Sequence, residues 1–260
     1  MPVIDEDCYG AGLMSRAVLV TGASGGLGAA IARAFACAGD TVMVHYATDA
    51  ERARTVVDEL PGTGHAMFGA DVSAPEQAQR LVDATVEGLG GLDVVVNNAG
   101  TAAPEHPVDC SFEQWQQAWQ HIISVNLLGA AYVSHCAIPR LRQRRGRIVN
   151  VGSRAAYRGM PTAPAYAASK AALHAFGQSL AVAVGNDGIS VTTVAPGVVD
   201  AGMGTPFLRG EVGEAIRNQS PFHRVATAEE VAAAVLYLAS PEAEFASGAV
   251  LDLNGASYLR

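Results

Sequence analysis

Apolar residues fall along this chain in short unbroken runs separated by longer amphipathic stretches. Ala17-Val-Leu-Val-Thr21, Thr41 to Tyr46, Leu92-Asp-Val-Val-Val-Asn97, Arg147 to Val151, Ser190 to Ala195 and Ala249 to Leu253 have strand length. Such runs mark strands, the first consistent with burial on both faces and Leu92 to Asn97 the clearest buried one. Ala66 to Ala70 is a weaker member of the set. Between them lie helical segments: about Leu27 to Ala38 closed by Gly39, Ala50 to Leu60 ended by Pro61-Gly62, and Pro75 to Glu87. Phe112 to Leu141, a stretch through Tyr166 and Lys170 to about Val184, and Glu229 to Ala239 complete the series. Strand and helix alternate with short Gly/Pro punctuation. This predicts an α/β fold, a Rossmann-type doubly wound parallel sheet of about seven strands in one domain over 15–260. Residues 1–14 are polar and acidic, with Met14 just before the first strand, so a flexible extension is expected there.

At 260 residues, half of them hydrophobic and 16% charged, the chain can bury a full core. A net charge of −8 provides no basic patch, which argues against nucleic acid and anionic membrane as partners. No apolar run is expected to span a bilayer, and the acidic N-terminus lacks the basic start of a signal peptide. The four cysteines show no CxxC spacing, so reduced thiols and a cytoplasmic location are expected. The seven histidines show no ligand spacing, and no metal is assigned.

The chemistry gathers around Tyr166-Ala-Ala-Ser-Lys170. Four residues apart on a helix, phenol and ammonium share one face. An ammonium beside a phenol favours the phenolate and lowers its pKa. Of the 17 basic side chains, Lys170 is the only lysine. Thr21-Gly-Ala-Ser-Gly-Gly-Leu-Gly28 joins the first strand to the first helix. There Gly22 and Gly26 permit a tight turn near a diphosphate, and Gly28 permits close helix packing. Asp71, followed by Val72, either accepts from an adenine amino group or caps the next helix. Asn97-Asn98-Ala99-Gly100 either ties neighbouring loops together or forms a turn.

TGxxxGxG at Thr21 to Gly28, NNAG at 97–100, Ser153 thirteen residues before Tyr166, YxxxK and Pro196-Gly197 occur together and in this order. The chain therefore resembles a short-chain dehydrogenase/reductase from Arg16 to its end, most closely the 3-oxoacyl-acyl-carrier-protein reductase branch. The resemblance implies an oxidoreductase that reduces a ketone to a secondary alcohol, with a small carbonyl compound or acyl thioester as substrate. Tyr166 would pass the proton and Ser153 would hold the substrate oxygen. Lys170 would bind the ribose and lower the Tyr166 pKa, and Asn126 would hold a water in a proton relay. Ser24, Leu27, Asn98, Ala99, Gly100, Pro196, Gly197 and Val199 would join the glycines, Asp71 and Val72 around the cofactor.

Tyr46 stands where NAD-preferring relatives usually carry an acid. Thr48, with Arg52 as a second candidate, can accommodate a 2′-phosphate, whereas the turn has Gly25 in place of an Arg common among NADP users. NADP(H) is favoured, with NAD(H) as the alternative. Three positions depart from the pattern: Ala201 replaces a common Thr, Thr192 an Asn, and Gly152 a second Ser. Residues around 200–222 are expected to form a substrate lid, and Trp115 and Trp119 to be packing residues. The extent of apolar helix surface, with the resemblance, implies a homotetramer. The alternatives are NAD-dependent oxidation of an alcohol, sugar or steroid, and a non-catalytic dinucleotide sensor.

Overall fold

The computed structural model describes residues 15–260; the extension expected over 1–14 lies outside the described residues. The strands are β1 (Ala17–Val20), β2 (Thr41–Tyr46), β3 (Ala66–Gly69), β4 (Val94–Asn97), β5 (Arg147–Val151), β6 (Ser190–Pro196) and β7 (Val250–Leu253). The helices are α1 (Gly26–Cys37), α2 (Ala50–Glu59), α3 (Pro75–Leu89), α4 (Phe112–Ile123), α5 (Ala130–Leu141), α6 (Ala155–Arg158), α7 (Pro164–Val184), α8 (Gly210–Arg217) and α9 (Ala228–Leu238). The strands form one parallel sheet in the order β3-β2-β1-β4-β5-β6-β7. Every apolar run picked from the sequence is one of them. Strand order reverses between β1 and β4, and at such a point the connections leave a crevice at the carboxyl ends.

Register explains the unbroken runs. Val18 pairs with Val42 and Val94, and Val20 with Val44 and Val96. Side chains alternate across the sheet, so these valines face Ile31 and Phe35 of α1 and Val231 and Val235 of α9. Leu19, Val95 and Ile148 point the other way, to Leu81 of α3, Val133 and Leu141 of α5, and Val184 of α7. With helices on both faces, no polar alternation develops. Each fully buried aliphatic side chain contributes about 1.5–3 kcal/mol relative to exposure.

The single helix expected over Phe112 to Leu141 is three pieces. α4 opens on a capping box, in which the Ser111 hydroxyl accepts from the Gln114 N–H and the Gln114 side chain from the Ser111 N–H. A π-helical turn, Ser124–Gly129, then leads into α5. The apolar pattern continues through that turn, which hides it from periodicity. Gly129 belongs there because a Cβ would come 2.8 Å from Val72. Contrary to the sequence expectation, the helical run Phe112–Arg144 has the length and hydropathy of a membrane span. In the fold it packs on α3, α7 and β4. α6, α8 and the 3-10 turn Thr205–Leu208 were not foreseen, being too short to show a period.

Candidate active site

The glycine-rich turn is held by its neighbours. The Thr21 hydroxyl oxygen accepts from the Asn98 and Ala99 N–H groups, each at 3.0 Å. The Asn98 amide donates to the carbonyls of Thr21 and Gly22, at 2.8 and 3.1 Å. Tying loops together, one of the two roles open to the 97–100 stretch, is therefore what Asn98 does. Gly22 adopts φ 65° and would bring a Cβ within 2.9 Å of the Ala99 Cα. A Cβ on Gly28 would lie 2.2 Å from the Gly22 carbonyl oxygen. Side chains are excluded at both positions, which lets the turn pack directly on the fourth loop. Ser24, Gly26 and Leu27 are half-buried along the same turn, and Gly202 approaches Gly26 from across the crevice.

Tyr166 and Lys170 stand on α7, facing the end of β5. The Lys170 ammonium nitrogen lies 5.9 Å from the Tyr166 ring centroid and donates to the Val151 carbonyl at 2.8 Å. Burial pulls its pKa down to about 8. Burial also raises the Tyr166 hydroxyl above the ordinary phenol value, and Ser153 opposes only part of that shift. The net direction is opposite to the lowering expected from Lys170, because the cost of dehydrating a phenolate dominates. Ser153 is buried two residues beyond β5, its oxygen accepting from the Ala155 N–H at 3.1 Å. Its hydroxyl proton is left to donate elsewhere.

Asn126 sits buried at the centre of the π turn. Its amide donates to the Thr101 carbonyl and the Ser169 hydroxyl, both at 2.9 Å, and its oxygen accepts from the Thr101 N–H at 2.8 Å. Both N–H groups are committed, so the amide has none left for a water. Asn126 Oδ1 and Lys170 Nζ nonetheless face one point, lying 3.3 and 3.5 Å from where a Cβ on Gly100 would be.

The remaining predicted residues spread along the strand ends. The Tyr46 ring covers Gly69, and Thr48 is exposed. One Asp71 oxygen accepts from the Ser73 N–H and hydroxyl, making a turn before α3 rather than its cap, which is Ala74. Val72 is buried against the π turn. Beyond Pro196, the Gly197 N–H continues the ladder to Leu253. An isolated bridge joins Val199 to Ala226 through the Val198 carbonyl and the Asp200 N–H. Val199's own peptide groups therefore point the opposite way. Trp115 and Trp119 stack with His106 as a packing cluster.

Three buried histidines escaped the sequence reading, and each accepts a backbone N–H at this edge. His45 Nδ1 takes Gly22 N–H at 2.9 Å, while Nε2 donates to the Ala70 carbonyl. His106 Nε2 takes Ala165 N–H at 3.0 Å, in the uncapped first turn of α7. His174 Nε2 takes Ser153 N–H at 3.4 Å, and its Nδ1 meets the Tyr157 hydroxyl at 3.2 Å. Gly152 is needed here, since a Cβ would come 2.1 Å from His174 Nε2. The signal was available for His45, a polar residue inside an apolar strand. It was not for the other two, which lie in a loop and in a helix where a polar residue draws no notice.

A family model described as Enoyl-(Acyl carrier protein) reductase matches residues 22–255. The chain belongs to the short-chain dehydrogenase/reductase family. It is 37% identical over 245 residues to Nodulation protein G of Rhizobium sp. (strain N33), covering 94% of this chain and 97% of that protein. It is 35% identical to a 3-oxoacyl-acyl-carrier-protein reductase of Vibrio cholerae, covering 95% and 99%, which places it in that branch. Versicolorin reductase stcU of Emericella nidulans is 34% identical, with 95% and 97% covered. The crystal structure of a dehydrogenase/reductase from Sinorhizobium meliloti superposes with a TM-score of 0.87 at 32% identity, covering 97% and 99%.

The short-chain dehydrogenase/reductase fold and family make this protein an oxidoreductase acting on CH–OH or C=O groups, with a nicotinamide dinucleotide cofactor. The residues present fit that group. At Gly22 and Gly28 a Cβ would collide with the Ala99 backbone and the Gly22 carbonyl oxygen, so only glycine allows the tight turn a diphosphate needs, and α1 begins within that turn at Gly26.

The neutral state of His174 has a consequence for stability. Burial, Lys170 and Arg260 pull its pKa from 6.5 to about 4, against a small opposing pull from Asp252. Between those two values the unfolded chain binds the proton and the folded one does not, so stability falls as pH drops and levels off below about 4. The loss attributable to His174 reaches about 3 kcal/mol. Urea denaturation from neutral to acid pH should show it, and His174→Gln should flatten that part of the profile.

Proposed function

We propose that the protein is an NADPH-dependent reductase that converts a ketone, of the 3-oxoacyl thioester class, to a secondary alcohol. The observation that carries this reading is the convergence of Ser153, Tyr166 and Lys170 at the β5 edge, beside the glycine cradle. A bound dinucleotide supplies the hydride. Tyr166, its proton held by burial, gives that proton to the carbonyl oxygen, and the Ser153 hydroxyl, bonded to Tyr166 before substrate arrives, turns its proton to the same oxygen. A neutral phenol is the form needed for reduction, and burial keeps Tyr166 in that form. Lys170 binds the ribose hydroxyls. Asn126 braces Thr101 and Ser169 beside Lys170, and any part it has in a proton relay falls to its oxygens. Residues 200–222, with Gly202 at φ 51° and Gly210 at φ 57°, act as the lid.

The preference for NADP(H) is supported by Arg52. A Cβ on Gly25 would lie 2.1 Å from the Arg52 guanidinium, so a side chain from α2 fills the place left empty in the turn. Its pairing with Asp49 is long, at 3.9 Å, and it is 66% exposed, free to meet a 2′-phosphate. The homotetramer is supported by apolar side chains left bare on the helices and the β7 edge. Phe112 is 80% exposed, Val182 85%, and Tyr237 and Phe245 are exposed as well.

Four measurements test these points. Tyr166→Phe should lower kcat with acetoacetyl-CoA and NADPH by about 10²–10⁴-fold while cofactor binding persists; unchanged turnover would refute the acid. Binding without turnover by the native protein, across a broad carbonyl panel, would instead support the sensor. Arg52→Ala should raise KM for NADPH by roughly 10–100-fold with little change for NADH, and equal effects on both cofactors would remove Arg52 from the phosphate. Light scattering at micromolar concentration should give four times the chain mass, and a monomer would overturn the assembly.

A further inference from the structure

Beside the catalytic edge lies a cavity of about 490 Å³ that none of the residues assigned to proton transfer or to the dinucleotide lines. Its walls are mainly apolar, from Val198, Ile216, Phe222, Val225 and Leu253, and its volume is that of a small-molecule site. Three charged residues line it. Arg224 and Glu230 pair with each other at 2.6 Å, leaving Arg154 as the uncompensated charge.

Arg154 is unusual in being 8% exposed while making no ion pair among the described residues. Its guanidinium donates to the Ser257 hydroxyl and, at 2.7 Å, to the Gln219 side-chain oxygen. Arg158 donates to the same oxygen at 2.6 Å. Two cations thus converge on one neutral acceptor. Burial and the charge of Arg158 pull the Arg154 pKa down to about 10, the strain expected of a buried cation without a counterion. The planar fork is suited to a carboxylate.

We propose that this cavity binds an apolar monocarboxylate, its chain against Ile216 and Phe222 and its carboxylate on Arg154. Two sources share that chemistry. Arg154 follows Ser153 directly, and its N–H donates to the Pro196 carbonyl at 2.9 Å, so a substrate whose far end is acidic can reach from one site into the other. A free apolar acid can also occupy the cavity independently of turnover.

Isothermal titration of the purified protein with octanoate, and with 1-octanol as the uncharged control, tests the site without relying on activity. Octanoate should bind at one site per chain and 1-octanol at least roughly tenfold more weakly. Arg154→Gln should weaken octanoate by a similar factor with little effect on 1-octanol, and Arg154→Lys should recover part of the loss. Ile216→Trp, which fills the cavity and leaves the charge in place, should abolish binding of both and covers the case that Arg154→Gln fails to fold. No octanoate binding to the native protein, or binding unchanged by Arg154→Gln and by Ile216→Trp, overturns the proposal. With the site established, inhibition of acetoacetyl-CoA reduction that is competitive assigns the cavity to an acidic substrate. Non-competitive inhibition assigns it to a separate acid.

Discussion

A parallel sheet leaves its carboxyl edge with peptide N–H groups that the ladder no longer satisfies, and a functional crevice needs those loops still held in place. In this molecule, side chains from neighbouring loops take up the work. Thr21 and Asn98 stitch the first loop to the fourth. His45, His106 and His174 each offer one bare ring nitrogen to the glycine turn, the start of α7 and the loop after β5. A neutral imidazole suits this because it accepts at one nitrogen and donates at the other, so a single buried ring links two segments. The functional side chains inherit their positions from this frame.

Burial also sets the electrostatics of the Tyr166–Lys170 pair, in a direction opposite to that of simple charge proximity. Removing water from both groups favours neutral phenol and neutral amine. The ammonium spends a hydrogen bond on Val151 rather than on the phenol. Before any ligand arrives the pair is thus a neutral phenol beside an ammonium whose hold on its proton is weakened. Ribose hydroxyls at Lys170 would add acceptors and shift that balance.

The sheet was legible because its five inner strands, β1, β2, β4, β5 and β6, are covered on both faces and so write short unbroken apolar runs. The glycine turn and the Tyr166–Lys170 spacing were legible for a related reason, since each is local and tolerates few residue types. The π turn around Asn126 was not, because apolar residues continue through it without a break. The two histidines that hold α7 and Ser153 were hidden because a polar residue in a loop or on a helix raises no question of its own. Arg52 was half visible: α2 was foreseen, but not that its guanidinium would lie over Gly25. A contact that depends on a neighbour's missing side chain leaves no mark in either residue alone.

Lys170 is the only lysine in the chain, and it stands at the centre of the site. Feeding isotopically labelled lysine during expression would therefore place one nitrogen label on one side-chain amine. Its resonance would report charge and surroundings at that position with no assignment problem and no background. Few enzymes come with a built-in spectroscopic probe on the group of greatest interest.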